Sequence, residues 1–164
     1  MIRLAPIGPE HSAQLVRWSE DLELKEYFRR YPPSMQWINN VPAAFASAYA
    51  IYDEDELVGV ACLANVDLQS RKAEIGVMID SEKRAKRAKP CVAAMKLVAE
   101  YAFDYLGLNK LYALVLPHRD DLARLLSMYG FKEEGLLRDN LFWEGRYHDE
   151  VIMGLTRSHY KGKK

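Results

Sequence analysis

Apolar and polar positions recur along this chain with two periods, and the switches between them mark its elements. Residues 2–7 alternate as a short strand closed by Gly8-Pro9. From residue 11 to 28, Leu15, Val16, Trp18, Leu22, Leu24 and Phe28 make a broken helical stripe. Tyr31-Pro32-Pro33 ends it, because proline cannot donate and restrains the residue before it. Ser34 is placed to cap a second short helix carrying Met35, Trp37 and Ile38, and residues 43–48 read as a further helical turn. Two strands, 49–52 and 57–66, then flank an acidic DEDE turn, and residues 67–72 turn into a third strand.

That third strand opens the stretch on which the chain is organised. AEIGVMID sets Ile75, Val77 and Ile79 against Gly76, Met78 and Asp80, which predicts one well-buried face. Val92, Met95, Val98, Ala99, Ala102, Phe103 and Leu106 follow at spacings of three and four, an amphipathic helix stopping at Gly107. Residues 110–116 form the next strand, closed by Pro117. Asp120 and Asp121 start a helix with Leu122, Leu125, Leu126 and Tyr129 on one stripe and Gly130 as its stop. Two last strands meet at the Glu144-Gly145 hairpin turn, the second over 147–155 with Val151 and Met153 on one face. The order βααβββαβαββ predicts a mixed sheet with helices on both faces.

Composition narrows the function classes. The chain of 164 residues is 49% hydrophobic and 28% charged, ordinary for one globular domain; we expect the domain over 1–158 and a basic tail over 159–164. Formal net charge is zero, so electrostatic function must be local. No apolar run reaches bilayer length, and Arg3, Pro6 and Glu10 spoil a signal peptide. Cys62 and Cys91 have no metal-ligand spacing, and with no disulfide framework they indicate a cytoplasmic, reducing setting. The DEDE turn has the composition of a cation site, but four consecutive acids in a hairpin loop are ordinarily solvated charge.

Local charge concentrates between the AEIGVMID strand and the helix after it, in Lys83, Arg84, Lys86, Arg87 and Lys89. Strand, cationic loop and helix N-terminus together suit a polyphosphate, because helix-end N–H groups and fixed positive charge point the same way. A solvated basic turn is the alternative. Nucleic acid fits poorly, since no aromatic is interleaved among these cations. Elsewhere, His118 follows Pro117 at a strand end. His148 and Asp149 are adjacent on a strand and so point to opposite faces. Ser81 and Ser127 have no local histidine for a hydrolase triad. Phe142, Trp143 and Tyr147 either line an acceptor groove or pack across strands.

From residue 94 to 153 the sequence resembles the GCN5-related N-acetyltransferases, nearest to the branch that acetylates ribosomal-protein N-termini. The run Gly130-Phe131-Lys132-Glu133-Glu134-Gly135-Leu136-Leu137-Arg138 and the hairpin Gly145-Arg146-Tyr147-His148-Asp149 carry it most closely. Ile2-Arg3-Leu4 and Trp18, Asp21 and Tyr27 fit the same branch. The resemblance implies an α/β fold of the α+β type: a mixed, mostly antiparallel twisted sheet, splayed between strands four and five, with acetyl-CoA in the cleft. AEIGVMID matches the strand that pairs with the pantetheine arm, through backbone groups of Val77, Met78 and Ile79. Glu74 is the implied base, and Tyr129 the candidate acid for the departing thiolate, with core packing as its other reading.

Two departures from the family pattern bear on activity. The pyrophosphate loop, Arg/Gln-x-x-Gly-x-Gly/Ala, falls on Lys86-Arg87-Ala88-Lys89-Pro90-Cys91, and residues 81–91 contain no glycine. Lys86, Arg87 and Lys89 would then bind phosphate as side-chain cations, while Pro90 removes one N–H from the cradle. Anchored on Gly130-Phe131, the family's Asn, small residue and Tyr fall on Arg119, Leu122 and Leu126, which leaves Arg119 as a further cofactor contact. The expected activity is acetyl transfer from acetyl-CoA to a primary amine, a protein N-terminus or a small molecule, without a metal. The other reading is a non-catalytic relative with weakened acetyl-CoA binding that docks a protein partner.

Overall fold

Strand alternation and glycine-terminated helices account for most of the observed architecture. The computed structural model describes residues 1–31, 47–82 and 88–162. Its strands are β1 (Ile2–Pro6), β2 (Ser47–Asp53), β3 (Glu56–Asp67), β4 (Lys72–Ile79), β5 (Lys110–Val115), β6 (Lys132–Trp143) and β7 (Arg146–Thr156). Its helices are α1 (Ser12–Glu20), α2 (Lys25–Arg30), α3 (Ala88–Glu100) and α4 (Asp120–Tyr129). The strands are hydrogen-bonded in the order β1-β2-β3-β4-β5-β7-β6. β1 with β2, β2 with β3, β5 with β7 and β6 with β7 pair antiparallel, and β4 with β5 parallel. The expected mixed, mostly antiparallel sheet is therefore present. By packing, the chain divides into two units, Met1–Asn65 with Gly76–Val98, and Val66–Ile75 with Ala99–Lys164.

In the first unit, Leu15 and Trp18 of α1 and Phe28 of α2 join Leu24, Val60 and Met78 in one buried cluster. The stripe from residue 11 to 28 is not one helix. Asp21 leaves helical space at ψ 128, and its carboxylate accepts the Glu23 and Leu24 N–H groups at 2.8 and 3.3 Å, so the chain restarts as α2. Met78 packs in that cluster, and an added Cβ on Gly76 would sit 2.5 Å from the Tyr31 ring. β4 is thus buried on both faces instead of the one face that alternation predicts, with only Val77 half-exposed among residues 73–79. β3 and β4 approach so closely that a Cβ on Gly59 would lie 2.1 Å from the Met78 carbonyl oxygen, a contact only glycine allows. Ala48, expected in a helical turn, belongs to β2, where it pairs with Cys62. The expected helix over 34–38, Pro42, residues 43–46, and Lys83, Arg84, Lys86 and Arg87 lie outside the described residues.

His11 is buried. Its Nε2 lies 2.9 Å from the Tyr52 hydroxyl, and its Nδ1 accepts the Gly8 N–H at 2.9 Å.

The second unit buries Phe103, Leu108, Leu111, Leu116 and Leu155 almost completely. α3 ends in a π turn over Tyr101–Tyr105, with Leu106 N–H reaching back five residues to the Tyr101 carbonyl. Gly107 (φ 64) and Gly130 (φ 108) stop their helices in left-handed geometry, as expected of a glycine just past a helix end. Tyr160 stacks on Phe103 at 4.7 Å, and Arg157 donates to the Phe103 carbonyl, so the chain is tied down as far as residue 160. The hairpin turn at Glu144 (φ 50) and Gly145 (φ 77) has both central residues left-handed, the type I′ form that suits twisted strands.

Candidate active site

β4 carries residues of both units. Its N-terminal part pairs with β5 in the second unit through Lys72–Lys110, Ala73–Leu111 and Glu74–Tyr112, and there the parallel ladder stops. Glu74 occupies the last rung and is only 2% exposed. Partners in a ladder share a face, so Glu74 and Tyr112 lie on the same side of the sheet. Tyr112 in turn pairs with Gly154 on β7, which puts Leu114, Ile152 and Glu150 on that side too. Burial first, then the charges of Glu74 and Asp67, pushes the Tyr112 phenol above its ordinary value.

Beyond Glu74, β4 continues in the first unit as Gly76, Val77, Met78 and Ile79. The Met78 and Ile79 side chains are buried; Met78 packs among Trp18, Phe28 and Val60. What these residues offer a ligand is therefore backbone. At the end of β4, Asp80 donates its N–H to the Val58 carbonyl at 2.8 Å, and its carboxylate accepts the Glu82 N–H at 3.0 Å. The Ser81 hydroxyl donates to Asp21 Oδ2 at 2.5 Å. α3 then begins at Ala88, with Lys89 exposed and Pro90 and Cys91 buried. Of its first four positions, Pro90 alone has no amide N–H to offer.

The remaining candidates sit in the second unit. Tyr129 is half-buried near the end of α4, its ring 6.3 Å from that of Phe131. Burial, then Tyr160 and Glu100, pushes its phenol well above the ordinary range, so it stays protonated at any physiological pH. Leu126 fills the core at 3% exposure. Arg119 is engaged by Asp121 through two contacts, Nε to Oδ1 at 3.0 Å and Nη2 to Oδ2 at 3.3 Å. This pairing is the first cause of the lowered Asp121 pKa. Its guanidinium is therefore already shared with a carboxylate.

One buried carboxylate was not singled out by sequence reasoning. Glu150, 1% exposed, accepts a hydrogen bond from Asn140 Nδ2 at 2.7 Å. Its neighbour Asp149 accepts the Asp139 N–H at 2.9 Å from the other face of β7. Together they pin a register break in β6 between Leu137 and Leu141, where Asp139 turns to φ 50. A charged residue on the Ile152 and Gly154 face of a strand whose opposite face carries Val151 and Met153 is the signal that could have marked Glu150. His148, by contrast, lies 3.1 Å through Nε2 from the Trp143 carbonyl across the hairpin, a local contact with no relay to Asp149.

Comparison with known proteins identifies the family. The family model described as Acetyltransferase (GNAT) domain matches residues 13–152, and the chain belongs to this family. It is 34% identical over 114 residues to the Bacillus subtilis (strain 168) protein YdaF, named as a ribosomal N-acetyltransferase; the match covers 70% of this chain and 61% of that protein's length. It is 24% identical over 174 residues to the spermidine N(1)-acetyltransferase of Escherichia coli (strain K12), covering 97% of this chain and 88% of the relative. Among solved structures it superposes on spermidine N-acetyltransferase from Vibrio cholerae in complex with CoA and spermine, with a TM-score of 0.76 at 21% identity and 97% of each chain covered. No described helix is long and apolar enough to cross a membrane.

Proposed function

We propose that this chain transfers the acetyl group of acetyl-CoA directly to a primary amine, with residues 1–158 as the working domain and the cytoplasm as its setting. The observation that carries the reading is Glu74: a carboxylate held almost without exposure on the last rung before β4 leaves β5. Retaining a carboxylate there against the cost of desolvation is what a proton acceptor requires. Glu74 takes the proton that the attacking amine sheds, directly or through one water. Backbone groups of Val77 and Met78 supply the donor for the oxyanion that forms as nitrogen adds to the thioester carbon, and the pairing with the pantetheine arm. Tyr129, kept protonated by burial, returns a proton to the sulfur as the C–S bond breaks.

Lys86, Arg87 and Lys89 hold the phosphates by charge where the family uses glycine amides. Arg119, already paired with Asp121, contributes less than the other cations. The acceptor is either a protein N-terminus or a small-molecule amine; the Bacillus relative is named a ribosomal N-acetyltransferase, and the other two are named for spermidine. Calorimetric titration of acetyl-CoA, followed by thiol release with spermidine and with a short alanine-first peptide, tests the reading. Micromolar binding and release of CoA thiol with either amine supports it.

A second reading has its own observation. Pro90 stands in the first turn of α3, and no glycine opens the loop before it. Those features suit a family member that has lost acetyl-CoA and docks a protein instead. Absence of heat and of thermal stabilisation at millimolar acetyl-CoA would favour it over the first.

A further inference from the structure

Gly76 has no side chain of its own, and the ring of another residue stands in its place. A Cβ built there would lie 2.5 Å from Tyr31 Cε2, 2.9 Å from Tyr31 Cζ and 3.0 Å from Cys62 Sγ. The Tyr31 ring, 6% exposed, is thus seated directly on the backbone of β4. Only glycine allows that approach.

The seat is held from two sides. A proline follows Tyr31 in the sequence and disfavours helical backbone before it, and Tyr31 leaves α2 at ψ 75 with its N–H still on the Tyr27 carbonyl at 2.8 Å. Tyr27, one turn earlier, sets its ring 4.9 Å from that of Tyr31 at an angle of 56°. Its hydroxyl donates to Cys62 Sγ at 3.5 Å. Ala48 pairs with Cys62 across β2 and β3 and so shares its face. Ala48, Cys62 and Gly76 are all small, and this face of the sheet is low where the rings come down on it.

A glycine backbone is freer than any other, and Gly76 stands immediately before Val77. One peptide plane joins the two, so whatever fixes Gly76 also aims the Val77 N–H. A donor to a developing oxyanion is worth most when its direction is set before the reaction begins. Met78 has an anchor of its own, a side chain packed with Trp18, Phe28 and Val60. For Gly76 the anchor must come from elsewhere.

We propose that Tyr31 is a positioning residue for acetyl transfer: its ring, buttressed by Tyr27 and seated on Gly76, fixes the peptide that presents the Val77 amide to the thioester carbonyl. This rests on the reading that the β4 backbone at Val77 and Met78 receives the thioester. Tyr31 acts through Gly76 and touches none of the reacting atoms.

Infrared spectra of bound acetyl-CoA, isotope-labelled at the thioester carbonyl, test this in the full chain and in Tyr31→Met, Tyr31→Phe, Tyr27→Phe and Ile51→Val. Calorimetric affinity for acetyl-CoA, thiol release with spermidine and with the alanine-first peptide, and melting are recorded beside them. Tyr31→Met keeps the core filled but exchanges a stiff ring for a flexible chain. In it the carbonyl stretch is expected to rise as its hydrogen bond weakens, and turnover to fall about tenfold, with affinity within about threefold. Tyr31→Phe, which keeps the ring, recovers both. Tyr27→Phe loosens only the buttress and should move both less, in the same direction; it carries the test if Tyr31→Met does not fold. Ile51→Val thins the buried core of the same unit on β2, and is expected to lower melting while moving neither the stretch nor turnover.

An unmoved stretch and unmoved turnover in Tyr31→Met, or in Tyr27→Phe where the former is unfolded, would make the contact packing only and overturn the proposal. Equal shifts in Ile51→Val would overturn it too, as general loosening. If acetyl-CoA does not bind the unaltered chain, or binds with its carbonyl stretch at the unbonded value, the reading of the β4 backbone falls, and this proposal with it.

Discussion

Glu74 and Tyr112 close the parallel ladder of β4 and β5 on the same face of the sheet, and the carboxylate's charge adds to burial in holding the phenol protonated. Glu74→Gln removes the charge and the base while keeping the shape. Turnover is expected to fall about 10²-fold or more, with acetyl-CoA affinity within about twofold. Even without an acceptor the substitution has a readout. The Tyr112 phenol should titrate at lower pH in the variant, followed by its ring resonances. Equal turnover would remove Glu74 as the base.

Two glycines that look alike in the sequence should behave differently. An added Cβ at Gly59 meets the Met78 carbonyl, which is backbone and cannot step aside. At Gly154 it meets the carboxylate end of Glu134, 2.6 Å away, which can swing off at the expense of its ion pair with Lys110. Urea unfolding should show Gly59→Ala destabilised by about 3 kcal/mol or more and Gly154→Ala by about 1 kcal/mol or less.

The pH dependence of stability has a definite sign on the alkaline side. Tyr27, Tyr112 and Tyr129 all hold their protons to higher pH in the folded chain, chiefly through burial. Above about pH 10 the unfolded chain binds fewer protons than the folded one, so stability falls as pH rises through this window, and below it these groups contribute no slope. Tyr129→Phe should flatten the alkaline loss of melting temperature by one proton's share. An unchanged slope would place Tyr129 in a more solvated setting.

Asn140 and Glu150 give a test of the pinned bulge. Asn140→Ala withdraws a donor from a carboxylate that is 1% exposed, and a loss of about 1.5–3 kcal/mol is expected. Asn140→Asp should be worse, because two carboxylates would then face one another at hydrogen-bond distance. Glu150→Gln in that background should recover most of the loss by melting temperature.

Much of the fold was legible because the signals were local. Gly107 and Gly130 announce helix ends, Glu144-Gly145 announces a hairpin, and Leu122, Leu126 and Tyr129 announce a stripe. The break at Asp21 was not legible, because there a side chain bonds the Glu23 and Leu24 N–H groups of the turn, in competition with a continuous apolar pattern. Nor was the double burial of β4, since a strand covered on both faces reads like one covered on one when glycine occupies a hidden position. For the candidate site, the sequence offered Glu74 and Lys89 through a family pattern, and Tyr129 as the tyrosine one turn beyond the place that pattern gives to one. It was silent on Tyr112, Glu150 and the Asp21–Ser81 contact, because register and long-range pairing decide those and neither is written in neighbouring residues.

β6 ends the strand order, and its Leu136 and Phe142 are about half exposed. Such a border invites strands from other copies. Here it is interrupted twice in register, turned at Asp139 and studded with Lys132, Glu133, Glu134, Arg138 and Asp139. The kink that Asp149 and Glu150 fasten therefore also serves the chain's behaviour in a crowded solution. A straight border would be a seam on which copies add one after another, and the first sign of losing the kink would be fibres rather than lost activity.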